Sequence, residues 1–185
     1  MIIFDLCGCL AENQYIKNFI YFEGTWKWLE DEQIYLHESG IKRKNIHDWQ
    51  AFYESTSEDK PIIPVIELWN QQISLGCMDI HQIWTGRCES LRDKTEVWLD
   101  KHLLCFNKNQ LKMRPIGDNT PRYLLKEKWL KEHVDSMWPE LEPAQDKEYR
   151  RKDPIEFVFD SDPESIKMWK LKGIFVFNCS QNYNG

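Results

Sequence analysis

Long apolar runs are missing from the 185 residues: nowhere do roughly 18 consecutive apolar residues occur, so no membrane-spanning helix is expected. Cysteine is present but unpaired in pattern. Cys7, Cys9, Cys77, Cys88, Cys105 and Cys179 contain no Cys-x-x-Cys pair, and no histidine stands at zinc-finger spacing. Free thiols in a reducing cytosol are the expected state. Excess basic charge is also lacking. Lys and Arg number 24 against 30 Asp and Glu, a net charge of −6. That argues against a broad basic face coating nucleic acid, while a local basic groove remains compatible. Met1 leads directly into Ile2, Ile3, Phe4 and Asp5, without the basic start and longer apolar stretch of a secretory signal. A cytoplasmic location is therefore expected. There is no internal repeat and no low-complexity tract.

What is there suits a folded domain. Apolar residues make up 42% and aromatics 14%, enough to build a core rather than leave the chain disordered. The length fits one domain with a small insertion. Nine tryptophans imply that much aromatic area is either buried or covers a ligand.

Residues 1–6 read as a short buried strand running into a turn at Gly8. Residues 13–60 are polar but carry Tyr15, Phe19, Tyr21, Phe22, Trp26, Trp28, Tyr35, Trp49 and Phe52. Mixed helix and loop is predicted there, forming either a cap over the first strand's carboxyl end or a secondary core. Pro64 opens a helix with Val65, Leu68, Trp69 and Ile73 at helical spacing and Gly76 as its stop. Residues 79–84 read as a strand ending at Thr85-Gly86-Arg87. Residues 91–102 read as a helix with Val97, Leu99 and Leu103 on its apolar side. A short strand over 110–114 follows, then a helix opened by Thr120-Pro121 and carrying Leu124, Leu125, Trp129 and Leu130. Residues 135–154, charged and holding three prolines, read as a polar loop insertion. A strand over 155–159 ends in Asp160, a helix over 163–172 is closed by Gly173, and a last strand spans 174–177. This alternation predicts an α/β fold, a Rossmann-like parallel sheet with helices on both faces. Ligands of such sheets bind beyond the strand carboxyl ends.

Asp5, Thr85 and Asp160 each fall where an apolar strand stops. A strand-end aspartate can attack phosphorus and hold it as an aspartyl-phosphate. A threonine hydroxyl and a glycine N–H can donate to phosphoryl oxygens, and a lysine can neutralise the developing charge. Each residue also has a plainer reading: a cap for the aspartates, a turn for Thr85-Gly86, a solvated charge for Lys126. Their joint order favours one phosphate-handling site.

The segments Ile2 to Leu10, Ile83 to Arg87, Tyr123 to Glu127 and Phe157 to Asp162 resemble the four motifs of the haloacid dehalogenase (HAD) superfamily. The nearest likeness is to the 3′-phosphatase domain of bacteriophage polynucleotide kinase and its small stand-alone phage relatives. Thr85 to Glu89, Met113-Arg114, Gly117-Asp118, Lys126-Glu127 and Met168-Trp169 carry it. The resemblance implies Asp5 as nucleophile, Thr85 and Lys126 as catalytic partners, and Gly86, Arg87 and Arg114 at the substrate; Arg122 is read with Arg92, Lys94 and Lys128 either as lining the approach or as a solvated helix face. It implies Mg²⁺ held by Asp5, the carbonyl of Cys7 and acids drawn from Asp160, Asp162 and Glu164, with Ser161 at one ligand position. The substrate would be a phosphate monoester of a nucleotide or a nucleic-acid 3′ end, and the setting host cytoplasm.

Two departures stand out. Cys7 replaces the second Asp, the usual general acid and base, and Ser161 replaces the second of two adjacent acids. A thiol with pKa near ~8.5 substitutes badly for a tuned carboxylate, at a cost on the order of 10²–10⁴ in rate. Two function classes therefore stand side by side. One is a phosphohydrolase. The other is a degenerate module that binds nucleotide, nucleic-acid ends or a protein partner through the aromatic cover, without turnover. Cys7 as a nucleophile beside Lys126 is a third, minor reading; a buried inert thiol is the plainer one.

Overall fold

The computed structural model describes residues 1–12, 19–22, 25–28, 59–76, 80–137 and 155–180. Five strands form a wholly parallel sheet: β1 (Ile2–Phe4), β6 (His81–Cys88), β7 (Leu111–Arg114), β8 (Phe157–Asp160) and β9 (Phe175–Asn178). Two smaller pairings accompany it. β2 (Ala11–Glu12) runs antiparallel to β5 (Lys60–Pro61), and β3 (Phe19–Phe22) antiparallel to β4 (Thr25–Trp28). The helices are α1 (Ile63–Ser74), α2 (Arg92–His102), α3 (Arg122–Met137) and α4 (Pro163–Leu171).

The sheet order is β7-β6-β1-β8-β9. The chain therefore winds outward from β1 in one direction, returns, and winds outward in the other. Its reversal lies between β1 and β8, and the crevice beyond their carboxyl ends is where doubly wound sheets bind ligands. The β1 run Ile-Ile-Phe is apolar on both faces because it lies at the sheet's centre, covered on both sides. Ile2 and Phe4 face a core built with Ile66, Trp69 and Ile73 of α1 and Trp98 and Leu99 of α2. Ile3 faces the opposite core, with Leu125 and Trp129 of α3 and Met168 and Trp169 of α4. Each face thus carries one pair of helices.

Trp69, Trp84, Trp98, Trp129 and Trp169 are all buried. A buried aromatic hides roughly 150–250 Å², or about 4–6 kcal/mol at ~25 cal/mol per Å². These five therefore belong to the core rather than to a ligand cover.

The predicted elements survive with local corrections. In the 13–60 stretch, Phe19–Phe22 and Thr25–Trp28 form a strand pair where mixed helix and loop is expected. Paired aromatic and β-branched side chains suit a ladder. Tyr15, Tyr35, Trp49 and Phe52 lie outside the described residues, as does most of the 135–154 insertion; α3 continues to Met137. Thr85-Gly86-Arg87 sits inside β6 rather than in a turn, because that strand continues to Cys88 across a register shift against β7. In α2, Val97 is 69% exposed while Thr95, Glu96, Trp98 and Leu99 are buried. The large Trp98 ring takes the inward face and turns Val97 out. Gly76 and Gly173 close α1 and α4 with φ of 88° and 77°, the left-handed conformation glycine adopts without strain. Among the described residues, no helix is long and apolar enough to cross a membrane.

Candidate functional site

Asp5 follows β1, and Asp160 ends β8. The two strands are neighbours with Phe4 opposite Phe159, so both carboxylates emerge side by side. The Asp5 amide donates to the Phe159 carbonyl at 2.8 Å and holds that alignment. Two buried acids so close would repel, and Lys126 resolves the conflict. It lies one turn into α3, is 1% exposed, and places Nζ 3.1 Å from Asp5 Oδ1 and 2.7 Å from Asp160 Oδ2. Burial pushes the Asp5 carboxyl up; Lys126 opposes this and Asp160 adds to it, leaving a pKa of about 6. Burial alone would weaken the Lys126 charge, but the two carboxylates outweigh it and move its pKa upward.

Asp160 is engaged at both oxygens. Its Oδ2 also accepts from Trp169 Nε1 at 2.9 Å, and its Oδ1 accepts from the Asp162 amide at 3.0 Å. Replacing Trp169 by Phe keeps most of the buried ring and removes that donor. We expect a loss of about 1–3 kcal/mol, read as a lower urea midpoint with unchanged m-value; no shift would show that the bond contributes nothing.

The second group of residues surrounds Thr85 on β6. Thr85 is buried, and its Oγ1 accepts from the Arg87 amide at 3.2 Å. Arg87 is buried as well. Its Nη2 pairs with Asp59, and its Nε donates to Cys7 Sγ at 3.2 Å. Its Nη1 is buried and has no hydrogen-bond partner among the described residues. Burial acts against the guanidinium charge, while Cys7 and Asp59 restore it and raise its pKa. Burial likewise raises the Asp59 carboxyl, with Arg87 opposing. A buried, charged N–H without an acceptor is costly, and a bound anion would satisfy it.

Arg122, the first residue of α3, stands one turn before Lys126 on the same face. Its stem crosses directly over Gly86: a β-carbon there would lie 3.0 Å from Arg122 Cγ. Burial weakens the Arg122 charge, but Cys7, Asp5, Asp162 and Asp160 together raise its pKa. Arg114 plays a different part. Its guanidinium donates to the carbonyls of Gly86, Asp118 and Thr120. It ties β6 to the turn that precedes α3.

The loop after β1 is shaped around Cys7 and Gly8. The Cys7 carbonyl accepts from Ser161 Oγ at 2.8 Å. Gly8 has φ of 86°, and a β-carbon on it would come within 2.8 Å of Ser161 Cβ. Glycine is required there both for its backbone conformation and for this close approach.

The donors named for Mg²⁺ do not fit it. Asp160 accepts from Lys126 and Trp169 at Oδ2 and from the Asp162 amide at Oδ1, so a metal would compete with three donors for it. Asp162 caps α4, its Oδ2 accepting from the Ser165 amide at 2.9 Å and hydroxyl at 2.7 Å. Glu164 is exposed in the first turn of α4. Ser161 donates to the very carbonyl expected to bind metal. Among the described residues, no three His, Cys, Asp or Glu side chains are grouped to hold a metal ion. Mg²⁺ takes oxygen ligands in near-octahedral geometry, usually through one or two carboxylates plus phosphate and water.

No protein-family model and no curated protein matches the chain. Two solved structures of the Pnkp1/Rnl/Hen1 RNA repair complex contain chains of similar fold, with TM-scores of 0.55 and 0.56. Identity is 17% and 16%, and the match covers 96% of this chain in both. The chain spans 41% and 44% of the length of those neighbours. At such identity the likeness shows the shared fold.

The structure thus brings together Asp5, Cys7, Thr85, Gly86, Arg87, Arg122, Lys126, Asp160 and Ser161. It directs Arg114 and Asp162 to local backbone and leaves Glu164 at the surface. Sequence reading missed Asp59 and the Trp169 indole donor. Asp59 sits just before β5, and no local pattern marks it out among other acids.

Proposed function

We propose that the chain is an HAD-type phosphohydrolase acting on a phosphate monoester of a nucleotide or a nucleic-acid 3′ end. The carrying observation is the buried Asp5–Lys126–Asp160 group at the sheet's reversal point, beside Arg87, whose Nη1 has no partner among the described residues. The fold of chains from an RNA repair complex agrees with a polynucleotide-kinase-like relation. In this reading Asp5 attacks phosphorus, forming an O–P bond as the ester P–O bond breaks. The leaving alkoxide takes the proton of the monoanionic ester, whose second pKa is near ~6. Lys126 and the Thr85 hydroxyl face the charge that develops on the phosphoryl group. Water then displaces Asp5 from phosphorus, releasing phosphate. The setting is cytoplasmic, in a host cell if the chain is of phage origin.

Cys7 and Ser161 favour a second reading, a module that binds the same ligand without turnover. Both stand where the family resemblance implies acids, and the aromatic stretch would then serve a protein partner. Phosphate release from p-nitrophenyl phosphate and a 3′-phosphorylated oligonucleotide tests the choice, with Asp5→Asn as control. Release by the wild type and none by Asp5→Asn is the expected result. Release that persists in Asp5→Asn rules out the aspartyl-phosphate route, and a folded wild type that binds without release supports the second reading.

A further inference from the structure

We infer that this site binds its phosphate-bearing ligand without a divalent cation, the Arg122 guanidinium taking the place of a metal between Asp5 and the phosphate. The inference rests on the phosphate-site reading above and adds the source of its positive charge. Three observations carry it. The Ser161 hydroxyl and the Cys7 carbonyl are bonded to each other at 2.8 Å, so two positions that would face a metal satisfy one another. Asp160 already accepts from Lys126, Trp169 and the Asp162 amide, so a metal would compete with three donors for it. Arg122 is delivered to this spot by its place one turn before Lys126, and the bare backbone of Gly86 makes room for its stem.

Electrostatics agree with this placement. The groups that raise the Arg122 pKa are Cys7, Asp5, Asp162 and Asp160, the same set a cation in that crevice would neighbour. A guanidinium also meets phosphate through a planar, bidentate fork that carries its charge permanently. Mg²⁺ would have to enter beside that fixed charge and compete with Lys126 for both Asp5 and Asp160. Repulsion and a shortage of ligands both disfavour it.

Titration calorimetry with a 3′-phosphorylated oligonucleotide and with inorganic phosphate, in EDTA and in Mg²⁺, tests the inference. Affinity in EDTA should lie within about twofold of that in Mg²⁺. Arg122→Gln should weaken binding about ten- to a hundredfold in both buffers, the range for losing a hydrogen bond to a charged group. A second variant needs no ligand: Arg122→Gln combined with Ser161→Asp removes the cation and adds a carboxylate. It should gain a Mg²⁺-dependent rise in melting temperature that the wild type lacks. Binding that requires Mg²⁺, or a wild type stabilised by Mg²⁺ alone, would overturn the inference and leave the phosphate site intact. No binding in either buffer by folded protein would overturn the phosphate reading itself.

Discussion

Lys126→Met destabilises the fold by about 3–5 kcal/mol near neutral pH, the cost of stranding buried charge by removing its partner. Lys126 is the one cation within hydrogen-bond reach of both Asp5 and Asp160 among the described residues. Methionine fills most of the lysine stem's volume, so the loss reports charge rather than a cavity. Against a typical total of about 5–15 kcal/mol, such a loss threatens folding itself. Urea unfolding at several pH values measures it. The deficit should shrink as pH falls toward about 6 and level off below it, because Asp5, no longer held down by Lys126, takes up its proton at a higher pH in the variant than in the wild type. Adding Asp5→Asn to Lys126→Met should recover part of the loss, because it removes one stranded charge. A loss below about 1 kcal/mol would mean that solvent reaches the carboxylates and that the triad is not a buried unit.

Asp5→Asn acts in the opposite direction. The folded Asp5 carboxyl titrates at about 6 against 3.8 in the unfolded chain. A raised pKa means the folded protein holds that proton more tightly. The associated stability is present below the unfolded value and is lost as pH rises through the folded one. Two units correspond to about 3 kcal/mol. Asparagine does not titrate, so the variant should match the wild type below the unfolded value of 3.8 and exceed it once pH passes about 6, by up to about 3 kcal/mol. Urea midpoints across that range measure the divergence. An Asp5→Asn protein less stable than wild type at alkaline pH would show that the Lys126 ion pair outweighs the burial of the carboxylate. A charged group kept at a cost to stability is what a reacting group in a strained site looks like. The same substitution should therefore stabilise the chain while abolishing phosphate release.

Much of the architecture was legible along the chain. The β1 run, the Trp69 helix and the glycine stops follow from periodicity and from backbone freedom, both of which are local. Asp5 and Asp160 were legible for the same reason, since each directly closes an apolar run. Where local reading failed, a distant partner decided the outcome. Residues 85–87 extend β6 because β7 offers a ladder up to Arg114. Val97 turns outward because Trp98 claims the core.

The site divides in the same way. The residue types and their order determined a parallel α/β sheet with acids at two strand ends and a lysine on an intervening helix. Packing decided what those residues do. Arg114 reads as a substrate ligand in sequence, yet the fold aims it at three carbonyls. Asp59 carries no local mark, yet it lies 28 residues from Arg87 along the chain and pairs with it in the buried interior. Cys7 and Ser161 are 154 residues apart, and a hydrogen bond joins them beside the strand-end acids. Hydrophobic periodicity is written between near neighbours, so sequence displays it. Charge pairing at a strand-end crevice depends on which distant segments the sheet's reversal brings together, so it appears only once the chain is folded.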